Sequence, residues 1–173
     1  MAQAMKAYSG QTCWFAARTR YGQELGIRDR LVRDGVEHFI PTVQVRKSHG
    51  KGLRERPAVT NLVFIKATKA EACALANEKG LPVRYIVDCA TRTLLVVPDK
   101  QMEDFMRVLD LSTDGPQTEP LALGDRVRVV KGPLKGVEGH VFEFRGRIYV
   151  VVELMTCLFA KTQVPKTWLE KVK

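Results

Sequence analysis

The sequence predicts two small domains: an α+β domain, in which helices pack on an antiparallel sheet, and then a small β-barrel. Predicted strands and helices alternate up to residue 110, whereas only strands are predicted after residue 120. The intervening residues 111–120 (LSTDGPQTEP) have the Ser, Thr, Gly and Pro content of a linker. Basic residues outnumber acidic ones by 18 to 11 in residues 1–109 and by ten to five in residues 121–173, whereas residues 110–120 carry three acidic residues and no basic one. We therefore expect domains at residues 12–110 and 121–173.

The first domain is expected to begin with a strand and a helix, after a disordered tail at residues 1–11. The segment Thr12–Thr19 (TCWFAART) is predicted to be a strand, with Trp14 and Ala16 on the face opposite to Phe15 and Ala17. A helix is predicted over Tyr21–Gly35, because its apolar residues share about half of the circumference at about 100° per residue. Glu24 and Arg28 intrude on that arc, and Gly35 is suited to end the helix. The apolar residues are Leu25, Ile27, Leu31 and Val32.

Strands and a hairpin are predicted next. The strand Val36–Pro41 ends at a proline, which lacks a backbone donor. The segment Val43–Pro57 predicts a β-hairpin with arms Val43–Lys47 and Leu53–Arg56, and it carries five basic residues against one acidic residue. The apolar run Asn61–Ala67 (NLVFIKA) contains β-branched and aromatic residues, which favours a central strand.

Two further helices complete the first domain. The helix Thr68–Lys79 begins with Thr68 and Glu71 at the spacing of a capping box, in which each side chain bonds the other residue's free backbone N–H. The helix Asp99–Asp110 has apolar residues at the i, i+3, i+4 and i+7 spacing of an amphipathic helix. Short strands are predicted between them, at Val83–Val87 and Thr93–Val97.

The segment Gly124–Gly139 (GDRVRVVKGPLKGVEG) predicts the hairpin that opens the second domain. Val127 and Val129 alternate with arginines, and the dipeptide Gly132-Pro133 then favours a tight turn. Five short strands without a helix fit an SH3-like barrel. The predicted strands are Arg126–Val130, Gly136–Phe144, Arg147–Glu153, Leu158–Pro165 and Trp168–Val172.

Composition excludes several classes of protein. The 45% hydrophobic and 27% charged content is typical of a globular chain. We expect a cytoplasmic protein without a membrane partner, because no apolar run is long enough to cross a bilayer and the N-terminus lacks a signal-peptide pattern. The net charge of +9 favours anionic partners. Because no phosphate-binding loop, nucleophile motif or metal-ligand spacing is present, we expect no enzymatic activity and no cofactor.

The four cysteines form no metal-binding or disulfide pattern. No two of them make a CxxC clip, and the three histidines are scattered along the chain. Buried free thiols are therefore the expected state. The cysteines are Cys13, Cys73, Cys89 and Cys157.

The order of these segments resembles NusG-type transcription elongation factors. The segments WFAARTR, FIP, NLVFIKA and PDKQMEDFM precede a linker and a glycine-rich segment similar to a KOW motif. The chain resembles specialised NusG paralogues, such as RfaH and the UpxY capsule-operon antiterminators, more than housekeeping NusG. The resemblance implies an NGN domain and a KOW SH3-like barrel in a monomeric, non-catalytic factor. Such a factor binds RNA polymerase and promotes processive transcription of selected operons, with polysaccharide operons as candidates.

The resemblance also implies a polymerase-binding surface in the NGN domain. In the family this surface is an apolar concavity, and the strand at residues 61–65 occupies the matching position. Leu62 and Phe64 are therefore the candidate contacts, with ordinary core packing as the alternative. RfaH carries an aromatic residue at the place of Leu62, so the chain departs from it there. An exposed apolar patch would require a partner.

Specialised paralogues also touch the non-template DNA strand of the elongation complex, through the first helix and its preceding loop. Contacts with phosphates would make binding depend on salt, and contacts with bases would select the operon. The alternative is a solvated helix face with ion pairs, such as Asp29 with Arg33. The candidate DNA-binding residues are Arg18, Arg20, Arg30 and Arg33.

The KOW domain of the family recruits a partner such as ribosomal protein S10 or termination factor Rho. The candidate contacts are Lys131, Leu134 and Lys135 in one loop, and Phe159. Housekeeping NusG has a phenylalanine where Leu134 lies. The rival function is an RNA- or ribosome-binding protein, because KOW-type barrels also occur in ribosomal proteins.

Overall fold

The computed structural model describes residues 10–119, 121–155 and 158–172. Its mixed α/β fold divides into two compact units, Met1–Asp99 and Lys100–Lys173. Two sequence predictions fall outside the described residues: the prediction of disorder for most of residues 1–11, and the prediction of a buried thiol at Cys157.

The first unit contains two helices, a five-stranded antiparallel sheet and a separate two-stranded hairpin. Within the sheet, β5 lies between β2 and β1, and both β6 and β7 pair with the other edge of β1. The hairpin consists of β3 and β4, and its register confirms the predicted arms. The strands are β1 (Cys13–Thr19), β2 (His38–Phe39), β3 (Thr42–Arg46), β4 (Leu53–Pro57), β5 (Leu62–Ala67), β6 (Val83–Tyr85) and β7 (Val96–Val97), and the helices are α1 (Glu24–Arg33) and α2 (Lys69–Asn77).

Helix α1 begins three residues later than the sequence predicts and ends at Arg33, and the predicted glycine follows directly after its C-cap residue Asp34. Gly35 has φ +65°, the left-handed conformation that glycine adopts without a steric penalty. The Gly35 N–H donates to the Val32 carbonyl at 3.1 Å, and the Val36 N–H donates to the Leu31 carbonyl at 2.9 Å. This pair of bonds is a Schellman motif, which satisfies the last carbonyls of the helix.

The buried face of α1 differs from the predicted apolar arc. Ile27 and Leu31 are buried as expected, but Val32 is 62% exposed. Glu24, which seemed to interrupt the arc, is 1% exposed and accepts a hydrogen bond from the Asn61 backbone N–H at 2.8 Å. Asn61 has φ +65°, so this carboxylate bonds the N–H of a left-handed residue directly before β5. A buried polar group is tolerated where it has such a partner.

Helix α2 begins with the predicted capping box. The Thr68 Oγ1 accepts from the Glu71 N–H at 3.2 Å, and the Glu71 carboxylate accepts from the Thr68 N–H at 2.8 Å. The second of these bonds favours the charged carboxylate, and it lowers the pKa of Glu71 below its ordinary value of 4.5. Reciprocal bonding of this kind satisfies two of the free donors at the start of the helix.

Both faces of the central strands are buried. One face of β1 and β5 packs with α1 and α2 in a single apolar cluster. On the opposite face, Trp14 is 2% exposed and Phe64 is 0% exposed. Burial on two sides explains why the sequence of β5 is continuously apolar rather than alternating. The main cluster members are Phe15, Ala17, Ile27, Leu31, Val63, Ile65, Ala72 and Leu75.

The second unit is built on a five-stranded antiparallel sheet with the order β11-β10-β9-β8-β12. All five predicted strands are present, and a short 3-10 helix, Lys166–Trp168, precedes the last one. Closure of this sheet into a barrel stays a prediction. The strands are β8 (Arg126–Val129), β9 (Glu138–Phe144), β10 (Arg147–Leu154), β11 (Leu158–Gln163) and β12 (Leu169–Lys171).

Helix α3 (Asp99–Asp110) has the predicted bounds, and from Lys100 onward it is grouped with the second unit. The Gln101 amide donates to the Glu153 carbonyl at 2.6 Å. Asp104 is 3% exposed, forms an ion pair with Lys100 and accepts from the Glu138 N–H at 3.0 Å. These polar contacts fix α3 to the start of β9 and to β10. The predicted domain boundary after residue 110 stays a prediction.

Candidate functional site

Strand β5 carries the two predicted polymerase contacts, and neither of them is exposed. Leu62 is 4% exposed and Phe64 is 0% exposed. The Phe64 ring lies 6.1 Å from the ring of Phe39 on the neighbouring strand β2. The described conformation therefore corresponds to the core-packing alternative, and contact of these residues with polymerase stays a prediction. Period-two alternation places both side chains on one face, but it does not determine whether that face is covered.

Arg18 and Arg20 lie where the sequence predicts a basic surface, and both are exposed. Arg18 is directly opposite Arg84 of β6, which is also exposed. Among the described residues, none of these three guanidiniums forms an ion pair. Like charges directly opposite each other on adjacent strands are destabilising. An anionic partner would relieve this repulsion. Sequence reasoning missed Arg84, because strand register is set by tertiary pairing.

The other two predicted DNA-binding arginines make contacts within the first unit. The Arg30 guanidinium donates to the Lys79 carbonyl at 2.7 Å and to the Gly80 carbonyl at 3.1 Å. These carbonyls lie just beyond the end of α2, where a cation also complements the helix dipole. Arg33 donates through Nε to the backbone carbonyl of Asp29 at 3.3 Å.

The suggested ion pair between Asp29 and Arg33 is not the one that forms. The Asp29 carboxylate lies 3.5 Å from the guanidinium of its neighbour Arg28 instead. Arg28 also binds Glu55 of the hairpin at 2.6 Å. This hydrogen bond lowers the pKa of Glu55 below its ordinary range and raises the pKa of Arg28. The pair therefore ties the basic hairpin to α1.

Tyr21, adjacent to Arg20, is a further surface residue that sequence reasoning did not select. Its side chain is 74% exposed. It lines a cleft together with Val43, Val45 and Arg56 of the hairpin. An exposed aromatic ring beside a cleft that contains an arginine can stack on a nucleic acid base.

In the second unit, two of the four predicted partner contacts are exposed. Lys131 and Lys135 are exposed in the loop between β8 and β9, whereas Leu134 is 3% exposed. Phe159 is 5% exposed, and its backbone exchanges two hydrogen bonds of 2.8 Å with Gln117. The expectation that Leu134 and Phe159 present side chains to a partner is therefore not met in this conformation, because both are packed into the unit.

Helix α3 holds the loop that contains these lysines. Lys100 donates to the Gly136 carbonyl at 2.8 Å. Arg107 donates to the Pro133 carbonyl at 2.8 Å and to the Lys135 carbonyl at 3.1 Å. Three loop carbonyls are thus occupied by two cations of one helix, which fixes the loop backbone and leaves the lysine side chains at the surface.

The outer face of the second sheet carries three aromatic side chains, Phe142, Phe144 and Tyr149, which we call the aromatic platform. The rings of Phe142 and Phe144 are 6.2 Å apart and nearly parallel, at 9°. The Tyr149 ring lies 6.1 Å from that of Phe142, across the β9–β10 pair. The alternating motif HVFEF predicts that the two phenylalanines share a face. It does not indicate that Phe144 is exposed on this face whereas Phe142 and Tyr149 are half-buried.

Metal and membrane features are absent from the parts of the chain that the structure describes. No cluster of His, Cys, Asp or Glu there could hold a metal ion. Cys13 is buried as predicted, and burial raises the pKa of its thiol, but Cys73 and Cys89 are exposed, which corrects the expectation for those two. No described helix is long and apolar enough to cross a membrane.

Comparisons with known proteins identify one family. The family described as "NusG: Transcription termination factor nusG" matches residues 12–106, which is more than half of the chain. No curated protein matches the chain. A structure described as "Domain interaction in Thermotoga maritima NusG" is similar at 16% identity and a TM-score of 0.46, over 95% of this chain and 99% of that one. The "MjSpt4:Spt5 complex conformation A" is similar at 20% identity and a TM-score of 0.31, over 92% of this chain and 97% of that one.

Proposed function

The chain belongs to the NusG family, and from this membership we propose that it is a transcription elongation and antitermination factor. It binds RNA polymerase and promotes processive transcription of selected operons, with polysaccharide operons as candidates. It acts by binding and not by catalysis. In this proposal residues 12–110 form the NGN domain and residues 121–173 form a KOW barrel. The observation that carries the proposal is the family match over residues 12–106.

The proposed polymerase contact is the face of β5 that carries Leu62 and Phe64. Because both side chains are buried, this contact requires that face to become accessible when polymerase binds. A substitution on this face that keeps an apolar side chain should then weaken polymerase binding. An equally mild substitution on the opposite face of β5 should weaken it less.

A pull-down of RNA polymerase core from the same organism, without ribosomes, tests the proposal. We expect the wild-type protein to retain the polymerase and Phe64→Leu to retain less. Ile65→Val is the matched control, because Ile65 is also 0% exposed and lies on the opposite face of β5. Each substitution is expected to cost about 1 kcal/mol of stability.

The possible outcomes separate two claims. If the wild type does not bind polymerase, the elongation-factor proposal fails, and the rival function, an RNA- or ribosome-binding KOW protein, replaces it. If Phe64→Leu and Ile65→Val both bind polymerase like the wild type, the proposed function stands. The proposed polymerase contact on β5 is then wrong.

The proposed contact with the non-template DNA strand is built on Arg18 and Arg20. Their exposure, and the unrelieved charge of Arg84 opposite Arg18, support it. Arg30 and Arg33 remain candidates, but their guanidiniums already bond backbone carbonyls and would contribute less.

Replacing Arg18 and Arg20 by glutamine is expected to weaken binding to single-stranded DNA and to lower its salt dependence. Loss of two phosphate contacts should reduce the slope of log K against log salt by about 1.4. Fluorescence anisotropy at several salt concentrations measures this slope. Lys69→Gln is the control, because it removes an exposed charge from α2 in the same unit. A decrease of about 0.7 in the control, which is the same change per charge removed, would attribute the effect to net charge alone.

The second unit is proposed to recruit ribosomal protein S10 or Rho. Lys131 and Lys135 are the exposed members of the predicted contact set, and α3 holds their loop in place. Leu134 and Phe159 would serve this contact by supporting the loop and the neighbouring strand from inside the unit.

A further inference from the structure

We propose that the cleft between the start of α1 and the hairpin β3–β4 binds a free α-amino acid with an apolar side chain. The lining of this cleft, which we call the hairpin cleft, includes the carboxylate of Glu24, the guanidinium of Arg56 and apolar side chains of the hairpin. All of its lining residues belong to the first unit. The proposal concerns a small ligand and does not depend on binding to polymerase or to nucleic acid.

The carboxylate of Glu24 is the group that would bind the ammonium of the ligand. Glu24 is 1% exposed, and one of its oxygens accepts from the Asn61 backbone N–H at 2.8 Å. Among the described residues, no cation pairs with this carboxylate. The side-chain oxygen of Asn61 is also buried there without a hydrogen-bond partner, so acceptors outnumber donors around Glu24. A buried carboxylate of this kind is stabilised by a cation that bonds it directly.

Arg56 is the group that would bind the carboxylate of the ligand. It lies directly opposite Val43 across the hairpin, so the two side chains project from the same face of β3–β4. Arg56 is exposed, and it forms no ion pair in the part of the chain that the structure describes. A guanidinium can bind a carboxylate through two parallel hydrogen bonds. One anionic and one cationic group in the same cleft therefore favour a zwitterionic ligand over a purely anionic one.

The rest of the hairpin cleft suits a small apolar side chain. Val43, Val45 and Pro57 line it and are half-buried, and the exposed ring of Tyr21 lies beside them. The cleft has a volume of about 270 Å³. This volume is below the range of about 300–1,000 Å³ that is usual for drug-sized ligands. A ligand of amino-acid size is therefore favoured over a nucleotide.

The two elements that form the cleft are already tied together on the other face of the hairpin. Glu55 follows Arg54 and precedes Arg56, so its side chain projects from the face opposite to theirs. Its carboxylate pairs with Arg28 of α1 at 2.6 Å. This ion pair holds the hairpin against α1 before any ligand binds. A site whose walls are preformed loses less conformational entropy on binding.

NMR chemical shifts of the backbone amides, recorded while the full chain is titrated with L-leucine, test the proposal. We expect saturable shifts at Gly22, Val43 and Thr60, which line the cleft, and none in β9 or β10. Two analogues each lack one charge of leucine: isocaproate lacks the ammonium, and isoamylamine lacks the carboxylate. Each analogue should bind about tenfold more weakly than leucine, because it loses a hydrogen bond between charged groups.

Two substitutions assign these charges to residues. Arg56→Gln should weaken leucine binding about tenfold and leave the affinity for isoamylamine unchanged, because that analogue has no carboxylate. Glu24→Gln keeps an oxygen that can accept from the Asn61 N–H, and it should weaken leucine binding about tenfold without affecting isocaproate. Arg46→Gln is the matched control for Arg56→Gln. Arg46 is also exposed on the hairpin, but the register places its side chain on the opposite face.

Three results would overturn the proposal. The first is the absence of saturable shifts in the wild type. The second is binding of isocaproate or isoamylamine as tight as that of leucine, which would remove the role of Glu24 or of Arg56. The third is equal weakening by Arg56→Gln and Arg46→Gln, which would indicate net charge alone. Thermal unfolding checks each variant, and if Glu24→Gln does not fold, the two analogues still test the carboxylate. Since neither polymerase nor nucleic acid is present, failure here leaves the proposed transcription function unaffected.

Discussion

Replacing Phe64 by alanine is expected to lower the free energy of unfolding of the first unit by about 3–5 kcal/mol. Phe64 is 0% exposed and lies on β5, between β2 and β1. Removal of its ring leaves a cavity next to Phe39 and Ala16, and neither neighbour can fill it without moving a paired strand. The cost is therefore the lost transfer free energy plus the cavity term.

Urea unfolding with hydrogen exchange measures this effect and assigns it to a unit. Peptides from β1 and β5 should lose protection in Phe64→Ala, whereas peptides from β9 and β10 should keep it. Leu53→Ala is the control, because Leu53 is 59% exposed in the hairpin, and its change should stay within about 0.5 kcal/mol. A cost below about 1 kcal/mol for Phe64→Ala would mean that this face of β5 is open in solution. The apolar surface that the family resemblance implies for polymerase would then be exposed.

Replacing Gly139 by alanine is expected to destabilise the second unit by about 3 kcal/mol, at the upper end of the usual cost of overpacking. An added Cβ would overlap the Val151 carbonyl oxygen and would lie 3.0 Å from its carbonyl carbon and 3.2 Å from Val150 Cγ2. Both valines are 0% exposed and belong to β10. The obstacle is thus the backbone of a paired strand, which cannot rotate away as a side chain can.

Gly26→Ala is the matched control for this substitution. Gly26 lies within α1, and a Cβ there would meet no atom within 4 Å. The same chemical change should therefore stabilise the first unit by about 0.5–1 kcal/mol, because alanine has a higher helix propensity than glycine. Thermal unfolding of the two variants should show shifts of opposite sign. Unchanged or raised stability of Gly139→Ala would contradict the close approach of β9 and β10.

Local signals in the sequence determined most of the elements and several of their ends. Thr68 and Glu71 predicted the start of α2, because a capping box needs only residues within one turn. Gly35 predicted the end of α1 for the same reason, since the left-handed conformation is set by the residue itself. The strands of the second unit were predicted because alternation and turn residues are also short-range features.

The candidate site was predicted less well, because a role at a surface depends on what lies across from each side chain. The sequence identified Arg18 and Arg20 as exposed cations, but only the pairing of β1 with β6 placed Arg84 beside them. It made Arg30 a candidate DNA-binding residue of the first helix, whereas the fold brings Arg30 to the end of α2, where its guanidinium bonds two carbonyls.

Burial was decided by the tertiary structure alone. Period-two alternation established that Leu62 and Phe64 share a face of β5, and that Phe142 and Phe144 share a face of β9. The first pair is buried, whereas Phe144 is 49% exposed. Glu24 shows the reverse case, a charged residue buried because its partner is a backbone N–H of residue 61, distant in sequence. Sequence periodicity specifies the direction of a side chain relative to its neighbours on the same helix or strand. The environment of that side chain depends on packing between helices and strands.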